Sequence, residues 1–485
     1  MSEPPESWSR LHPATFAIRA LEQLPQFVLG LPAAAYFIGN SGIMVALLFA
    51  LVGIALSVGL AYLYWLRFAY HVGEEQLIIE SGILNRNRRT IPFDRIQDVS
   101  LEQKLLARLF GVSVARIETG GSGGDEGELD CISREEADRL RDRIRAYRAG
   151  SASETDTTNE ATEVSEPVLY TMSIGRLVIA GLFNFSLVFL AVLGGVWQYV
   201  GSYLPSDYLD PRQWIDTYGD QAAGLMTALP ILWFALLLIA IGAITGLVRT
   251  IAREFGFRLT RTETGLRRQR GLFTRTDVVI PLKRVQAVVI STSILKRFLG
   301  WHGMAVQSLG TDGGAGTNHV VAPLAHTDDL KPILDELHSR PPPPDDQFER
   351  VSPGLIYRSW LEDGIVLGVV VVGVSLFWTG WSWLLLLAPF LAIAPVLQYR
   401  AHGYCIDGDL MFVRRGFWRP RVTILPLDRV QSASLVRGLT QRGFGLATLA
   451  IGTAGASLGS PLRILDLEEP VARRLLGQRV CPVGS

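Results

Sequence analysis

Cysteine is almost missing from this sequence: Cys131, Cys405 and Cys481 stand far apart, odd in number and without CxxC spacing. That excludes a disulfide framework and a cysteine-based zinc site, and it suits thiols held reduced on a cytoplasmic face. The 7 histidines (His12, His71, His302, His319, His326, His338 and His402) show no HExxH or related metal-ligand spacing. Net charge is also absent, with 46 basic and 46 acidic residues, so bulk charge gives no indication of a nucleic-acid partner. No GK[ST] follows the glycine-rich stretches GGSGGDEG (Gly120–Gly127) and GTDGGAGT (Gly310–Thr317), which therefore read as β-turns and not phosphate cradles. No constellation of acid, base and nucleophile stands out. The chain reads as non-enzymatic, with no cofactor.

Charge is scarcest inside six apolar runs, and they come in twos: Gln26–Gly39 with Ile43–Leu66, Leu177–Val200 with Leu225–Val248, and Gly364–Trp378 with Trp381–Leu397. A helix needs about 20 such residues to cross roughly 30 Å of hydrocarbon. Three transmembrane hairpins are expected, at 26–66, 171–249 and 359–399; the first run and the third pair are short enough to be re-entrant. Because the first run begins well inside the chain and has no clean small-residue cleavage site, the N-terminus is expected to be retained. Lack of buried charge in the runs argues against an ion-coupled transporter.

Arg10, Arg19, Arg67, Arg176, Arg249, Arg253, Arg358 and Arg400 flank the runs on the side of the long polar stretches, whereas the connecting loops carry only Arg212 against Asp207, Asp210, Asp216 and Asp220. This bias places both termini and the polar stretches in the cytoplasm, as in a multi-pass inner-membrane protein. Tyr203, Tyr208, Trp214 and Tyr218 suit the loop 201–224 to the opposite interface.

The polar stretches are one unit written three times. Aligned on IPFDRIQDV (Ile91–Val99), IPLKRVQAV (Ile280–Val288) and LPLDRVQSA (Leu425–Ala433), they run in register without a gap. Counting from Pro92, Pro281 and Pro426, every copy has glycine ten before (Gly82, Gly271, Gly416), arginine three after (Arg95, Arg284, Arg429) and glutamine five after (Gln97, Gln286, Gln431). Arginine recurs at sixteen (Arg108, Arg297, Arg442), and glycine at nineteen (Gly111, Gly300, Gly445) and twenty-nine (Gly121, Gly310, Gly455). Alternating stretches such as EEQLIIESG and ILNRNRRTI predict strands turning at Gly82, where positive φ is allowed, and each copy ends in an amphipathic helix, Arg134–Tyr147, Thr327–His338 or Glu469–Gln478. Each copy, at 67–149, 250–340 and 400–480, should close its own core. Ser151–Pro167 (within 150–170) reads as a flexible linker, Pro341–Pro344 (within 341–358) as a stiff one, and 1–25 as a cytoplasmic N-terminus.

The WxRLHP start (Trp8–Pro13), the P-x-x-R-[IV]-Q element and the R-x-x-G element together resemble the membrane-flanked bacterial PH-like (DUF304/bPH2) domains, and the whole chain resembles YdbT-like proteins with three copies. The resemblance implies an α+β membrane protein: PH-like antiparallel β domains, each closed by a C-terminal helix, on transmembrane hairpins. It supplies no catalytic residues. Copy two departs at Lys283, where the others have Asp94 and Asp428, and at Ser308-Leu309-Gly310.

Basic clusters recur near the first hairpin of each copy: Arg86, Arg88 and Arg89; Arg267, Arg268, Arg270 and Arg275; Arg414, Arg415, Arg419 and Arg421. Near a cytoplasmic leaflet they suit anionic lipid headgroups; the other reading is a solvated strand face. The recurring Arg95/Arg284/Arg429 and Gln97/Gln286/Gln431 are expected to satisfy backbone groups within the fold. Two readings of function follow: a scaffold presenting PH-like modules to lipid headgroups or to a membrane-protein partner, or a six-helix component that moves a lipid or peptide across the bilayer.

Overall fold

The computed structural model describes residues 8–19, 21–22, 42–82, 85–119, 127–152, 167–184, 220–308, 317–376, 381–453 and 462–477. The first apolar run, most of the third, residues 201–219 of the loop 201–224, the glycines at +29, Cys481 and most of the linker at 150–170 lie outside these residues.

Every copy is built from four antiparallel strands, then three, then a helix. In copy one these are β1 (Ser9–Arg10), β2 (Ala69–Val72), β3 (Gln76–Ser81) and β4 (Asn87–Pro92), then β5 (Ile96–Gln103), β6 (Val112–Thr119) and β7 (Gly127–Ser133), then helix Arg134–Ala152. Copy two has β8 (Val168–Thr171), β9 (Arg258–Arg261), β10 (Gly265–Arg270) and β11 (Arg275–Pro281), then β12 (Val285–Ser291), β13 (His302–Ser308) and β14 (Thr317–Ala325), then helix Thr327–Glu336. Copy three has β15 (Glu349–Arg350), β16 (Gly403–Asp407), β17 (Leu410–Arg415) and β18 (Arg421–Pro426), then β19 (Val430–Val436), β20 (Leu446–Thr453) and β21 (Leu462–Glu468), then helix Glu469–Leu475. The recurring glycines hold the corners: Gly82, Gly271 and Gly416 have φ of 112°, 113° and 86°. A Cβ on Gly271 would stand 1.8 Å from the Thr274 carbonyl oxygen, so no other residue fits that hairpin.

Each copy builds its core from both strand groups and the terminal helix, and the core of copy one is drawn from that copy alone. In copy one, Leu77, Ile79, Phe93, Ile117 and Leu129 pack beneath Ala137, Leu140 and Ile144 of the helix. The cores of copies two and three touch: Leu410, Phe412 and Ile424 of copy three belong to the cluster around Leu266, Val306 and Ile333. Burying an aliphatic side chain in this way contributes about 1.5–3 kcal/mol.

The first strand of every copy precedes the apolar segments, so chain on both sides of each hairpin is tied to the same sheet. Leu11 is buried in the copy-one core and its carbonyl accepts from the Trp65 indole at 2.8 Å. Tyr170 of β8 packs edge-on against Phe257 and donates to the Leu324 carbonyl at 2.5 Å. An arginine just beyond each such strand pairs with an acid of its domain: Arg19 with Asp130, Arg176 with Asp329 at 2.9 Å, Arg358 with Asp466 at 2.9 Å. Cys131 and Asp466, both at φ 55°, each turn a carbonyl toward the pre-hairpin chain and accept from the amides of His12 and Ser352.

The helices between are Gly42–Arg67 (26 residues), Ile174–Phe183, Asp220–Glu254 (35 residues), Gly354–Ser375 (22 residues) and Ala388–Ala401, the last entered through a 3-10 turn at Trp381–Leu387. Among the described residues, Leu384–Ala401 combines the length and the apolar composition of a membrane span. Large apolar side chains project outward on these helices, among them Leu51, Leu56, Trp233, Ile239, Val369 and Phe390. Helices Ile174–Phe183 and Asp220–Glu254 cross at glycine: a Cβ on Gly246 would lie 2.4 Å from the Asn184 carbonyl oxygen.

The copies are not separate beads. Strand β5 of copy one pairs with β11 of copy two, making a seven-stranded sheet in the order β7-β6-β5-β11-β10-β9-β8, and β12 of copy two pairs with β18 of copy three in a second seven-stranded sheet. Neighbouring copies are therefore joined edge to edge by backbone, and copies two and three by shared core residues as well.

Candidate functional site

Two features recur around the junctions. One is the short helix after the P-x-x-R-x-Q element: Leu105–Leu109, Ile294–Phe298 and Leu439–Gly443. Its sequence carries apolar side chains that point away from the sheets, although Leu106 and Ala107 pack in a small cluster with Val112. Leu109 is 80% exposed and Phe298 84%, each next to the recurring Arg108 or Arg297; copy three has Gly443 at that position and exposes Leu439 (87%) one helical turn before Arg442. An apolar tip flanked by arginine appears three times.

The second feature is a cavity of about 460 Å³ where three elements meet: the end of helix Asp220–Glu254 (Arg249, Thr250, Arg253, Glu254), the loop after β12 (Ser291, Thr292, Ser293, Lys296) and the β17–β18 turn of copy three (Arg419, Arg421). Phe183 and Asn184 close it from helix Ile174–Phe183. Inter-copy pairing sets its floor, because Ser291 stands opposite Arg421 and the Thr292 amide donates to the Pro420 carbonyl at 2.9 Å. Its acid is already engaged: Glu254 pairs with Arg270 at 2.7 Å and Arg253 at 3.4 Å. Among the described residues, Arg249, Lys296, Arg419 and Arg421 have no ion-pair partner of opposite charge. Lys296 sits over the Phe183 ring at 5.6 Å, and burial together with nearby Arg419 lowers its pKa. The site concentrates positive charge in a partly desolvated hollow, which a phosphate or carboxylate would neutralise.

The arginines read from the sequence are distributed otherwise. Arg86, Arg88 and Arg89 line exposed or half-exposed β4, Arg88 within 3.6 Å of Glu80 and over the Trp8 ring. Arg267 forks onto Asp277 at 2.9 and 2.6 Å, Arg270 holds Glu254, and Arg268 is buried, its pKa lowered to about 9 by desolvation and by Arg270. Arg414 reaches Asp345 at 2.5 Å over the Phe348 ring. Arg415 stands with Arg463 and Arg421, and burial with those charges lowers its pKa. Only Arg419 and Arg421 of the clusters line the cavity; Arg249 and Arg253 were legible as flanks of an apolar run, and Lys296 carried no signal of its own. Among the described residues no three or more His, Cys, Asp or Glu side chains form a metal-sized group.

The recurring Arg–Gln element serves backbone carbonyls, once across copies and once within a copy. Arg429 donates to the Lys283 carbonyl of the preceding copy at 3.2 Å, and Gln286 is buried beside Arg284, donating to its carbonyl at 3.3 Å. At the two ends of the array the same element is uncovered: Arg95 and Gln431 are exposed.

The model of the bacterial PH domain family matches residues 21–148, 210–340 and 363–478. Over its whole length the chain is similar to a UPF0699 transmembrane protein, YdbT, of Bacillus subtilis (strain 168), at 25% identity across an alignment of 504 residues that covers 98% of each chain. No solved structure matches it.

Proposed function

The chain belongs to the bacterial PH domain family, in three copies, and on that premise we propose that it is a non-enzymatic membrane protein that reads anionic lipid headgroups at the cytoplasmic leaflet. Three hairpins, six helices in all, carry the copies. The named relative is a transmembrane protein, and 26 residues of helix Gly42–Arg67, at about 1.5 Å each, exceed a hydrocarbon core of roughly 30 Å. Exposed apolar side chains on the helices suit contact with lipid tails.

The observation that carries the reading is the cavity beside the end of helix Asp220–Glu254, where Arg249, Lys296, Arg419 and Arg421 have no carboxylate partner among the described residues. Basic hollows next to cytoplasmic helix ends bind lipid phosphates, at about 1 kcal/mol per cation near an anionic leaflet. The apolar tips at Leu109, Phe298 and Leu439 dip into the interface while Arg108, Arg297 and Arg442 stay at headgroup level.

The test is lipid retention. The full-length protein, reconstituted in nanodiscs of mixed phosphatidylglycerol and phosphatidylethanolamine and then re-extracted in mild detergent, retains phosphatidylglycerol selectively, as read by mass spectrometry. Lys296→Ala with Arg421→Ala abolishes the selectivity, while Arg267→Ala does not. Equal retention by all three proteins overturns the reading.

A further inference from the structure

The two junctions between copies use one register. At the first, Thr276 stands opposite Glu102 and Asp277 opposite Leu101; at the second, Arg421 stands opposite Ser291 and Val422 opposite Ile290. Counted from Pro92, Pro281 and Pro426, both pair position −5 with +10 and −4 with +9, and the second continues to Ile424 opposite Val288, −2 with +7. An edge of one kind (β5, β12) always receives an edge of the other kind (β11, β18) from the next copy.

Among the described residues the array ends in one unused edge of each kind. Strand β4 is outermost in the sheet β1-β2-β3-β4, and β19 is outermost in the sheet β19-β20-β21. Ala433 and Leu435 of β19 are half-buried, whereas Val288 and Ile290, at the same positions of β12 in the second junction, are buried. Arg95, whose counterpart Arg429 works at the second junction, is exposed at the first of these two faces.

We infer that β19 of one molecule adds to β4 of a second copy of this chain, continuing the array head to tail, with Arg88 opposite Leu435, Asn87 opposite Val436 and Thr90 opposite Ala433. An unpaired edge is a template for another strand, and here an edge of each kind is present whose counterparts pair at both internal junctions. Charge agrees: Glu469 holds the place in copy three that Arg134 holds in copy one, and Arg134 lines the first junction with Arg275, the counterpart of Arg86. Glu469, which pairs with Arg437 and Arg473 at 2.8 Å each, thus brings an acid toward the base Arg86 at the new junction. The arginines of β4 discourage indiscriminate pairing without forbidding this one, since the first junction pairs Arg275, Asp277 and Glu102 across the same seam. Because the contact is heterologous, repetition gives a closed ring or a filament within the membrane plane.

The test uses two differently tagged full-length proteins expressed together, Arg88→Cys in one and Leu435→Cys in the other, oxidised in native membranes. The expected result is a mixed-tag, disulfide-linked dimer whose 88–435 peptide is found by mass spectrometry, in a yield comparable to that of the internal pair Ile290→Cys with Val422→Cys. An internal disulfide without the 88–435 dimer overturns the inference, as does capture of residue 435 by a different protein. Native mass spectrometry in mild detergent decides it separately: multiples of the chain support it, and a monomer alone overturns it.

Discussion

Replacing Asp277 by asparagine should loosen the first junction and leave the second intact. Asp277 accepts both prongs of Arg267 at 2.9 and 2.6 Å and the Gln269 amide at 3.0 Å, with Arg141 of the copy-one helix 3.8 Å away. Its side chain is 18% exposed and that of Arg141 7%, so the substitution removes the carboxylate that Arg267 and Arg141 share in a half-dry seam. Breaking a fully buried pair costs about 3–5 kcal/mol; the residual exposure here reduces that to about 2–3. Amide exchange along Arg275–Asp277 and Leu101–Gln103, which open when the junction parts, should therefore speed up roughly 30- to 150-fold, since about 1.4 kcal/mol is tenfold. The ladder between β12 and β18, whose facing residues are Val288, Ile290, Val422 and Ile424, should not change. Burial pushes the Asp277 carboxyl up, but Arg267, Gln269 and Arg141 outweigh it and hold the pKa below the usual range. The contribution is thus complete above about pH 4, the unfolded value, and is lost as pH falls through the lower folded value. Exchange unchanged in Asp277→Asn would refute the assignment of this carboxylate as the fastener of the junction.

Burial, then Arg268 and Arg270, lower the His319 pKa to about 4, well under the unfolded value of about 6.5. Between these limits the unfolded chain binds a proton that the folded one refuses, so copy two should lose up to about 1.4 kcal/mol per pH unit as pH falls; limited proteolysis at pH 7 and pH 5 should show that His319→Gln flattens the dependence. Gly246→Val drives a side chain into the Asn184 carbonyl and should separate helices Ile174–Phe183 and Asp220–Glu254 at a cost of about 1–3 kcal/mol, visible as loss of a disulfide engineered between them. Arg358→Leu strips the cation from Asp466, a side chain 1% exposed that Gln441 alone would then serve at 2.7 Å; about 3 kcal/mol should be lost and protease should cut within 462–468 first.

Much of this was written in local pattern. Turns at Gly82, Gly271 and Gly416 follow from a residue type that alone tolerates the corner, and the closing helices from apolar spacing. The two-residue strands β1 and β15 were not legible, because nothing so short has a period and their partners lie beyond a whole hairpin in sequence. Junction pairing left no trace either: it is made by backbone groups on strand edges, and side-chain alternation says which face is buried, not which edge is covered. The recurring Arg and Gln were read as serving backbone groups inside each fold; Arg429 does serve a backbone group, but the carbonyl belongs to the preceding copy. Outward-facing arginines were read from the basic cluster of copy two, yet the turn at Gly271 fixes Gln269 opposite Asp277, which brings Arg267 within reach of the same carboxylate on that sheet face.

That Arg429 grips a carbonyl also explains why copy two tolerates Lys283 where the other copies have aspartate. The guanidinium reads the backbone of the turn, and the side chain there is free to change. The basic cavity carries the opposite lesson. Arg249 comes from a hairpin helix, Lys296 from copy two, and Arg419 and Arg421 from copy three, so no single copy contains the site, and its four cations converge because β12 and β18 share a ladder. Fusing the copies in one chain keeps that ladder formed at any concentration, which separate modules joined only by strand edges would not. Headgroup affinity should therefore follow the integrity of the second junction: Val422→Pro, which denies β18 a backbone donor, should reduce phosphatidylglycerol retention as far as Lys296→Ala does, although Val422 does not line the cavity. Full retention in that variant would show that the cavity assembles without the ladder and that its composition from two copies is incidental.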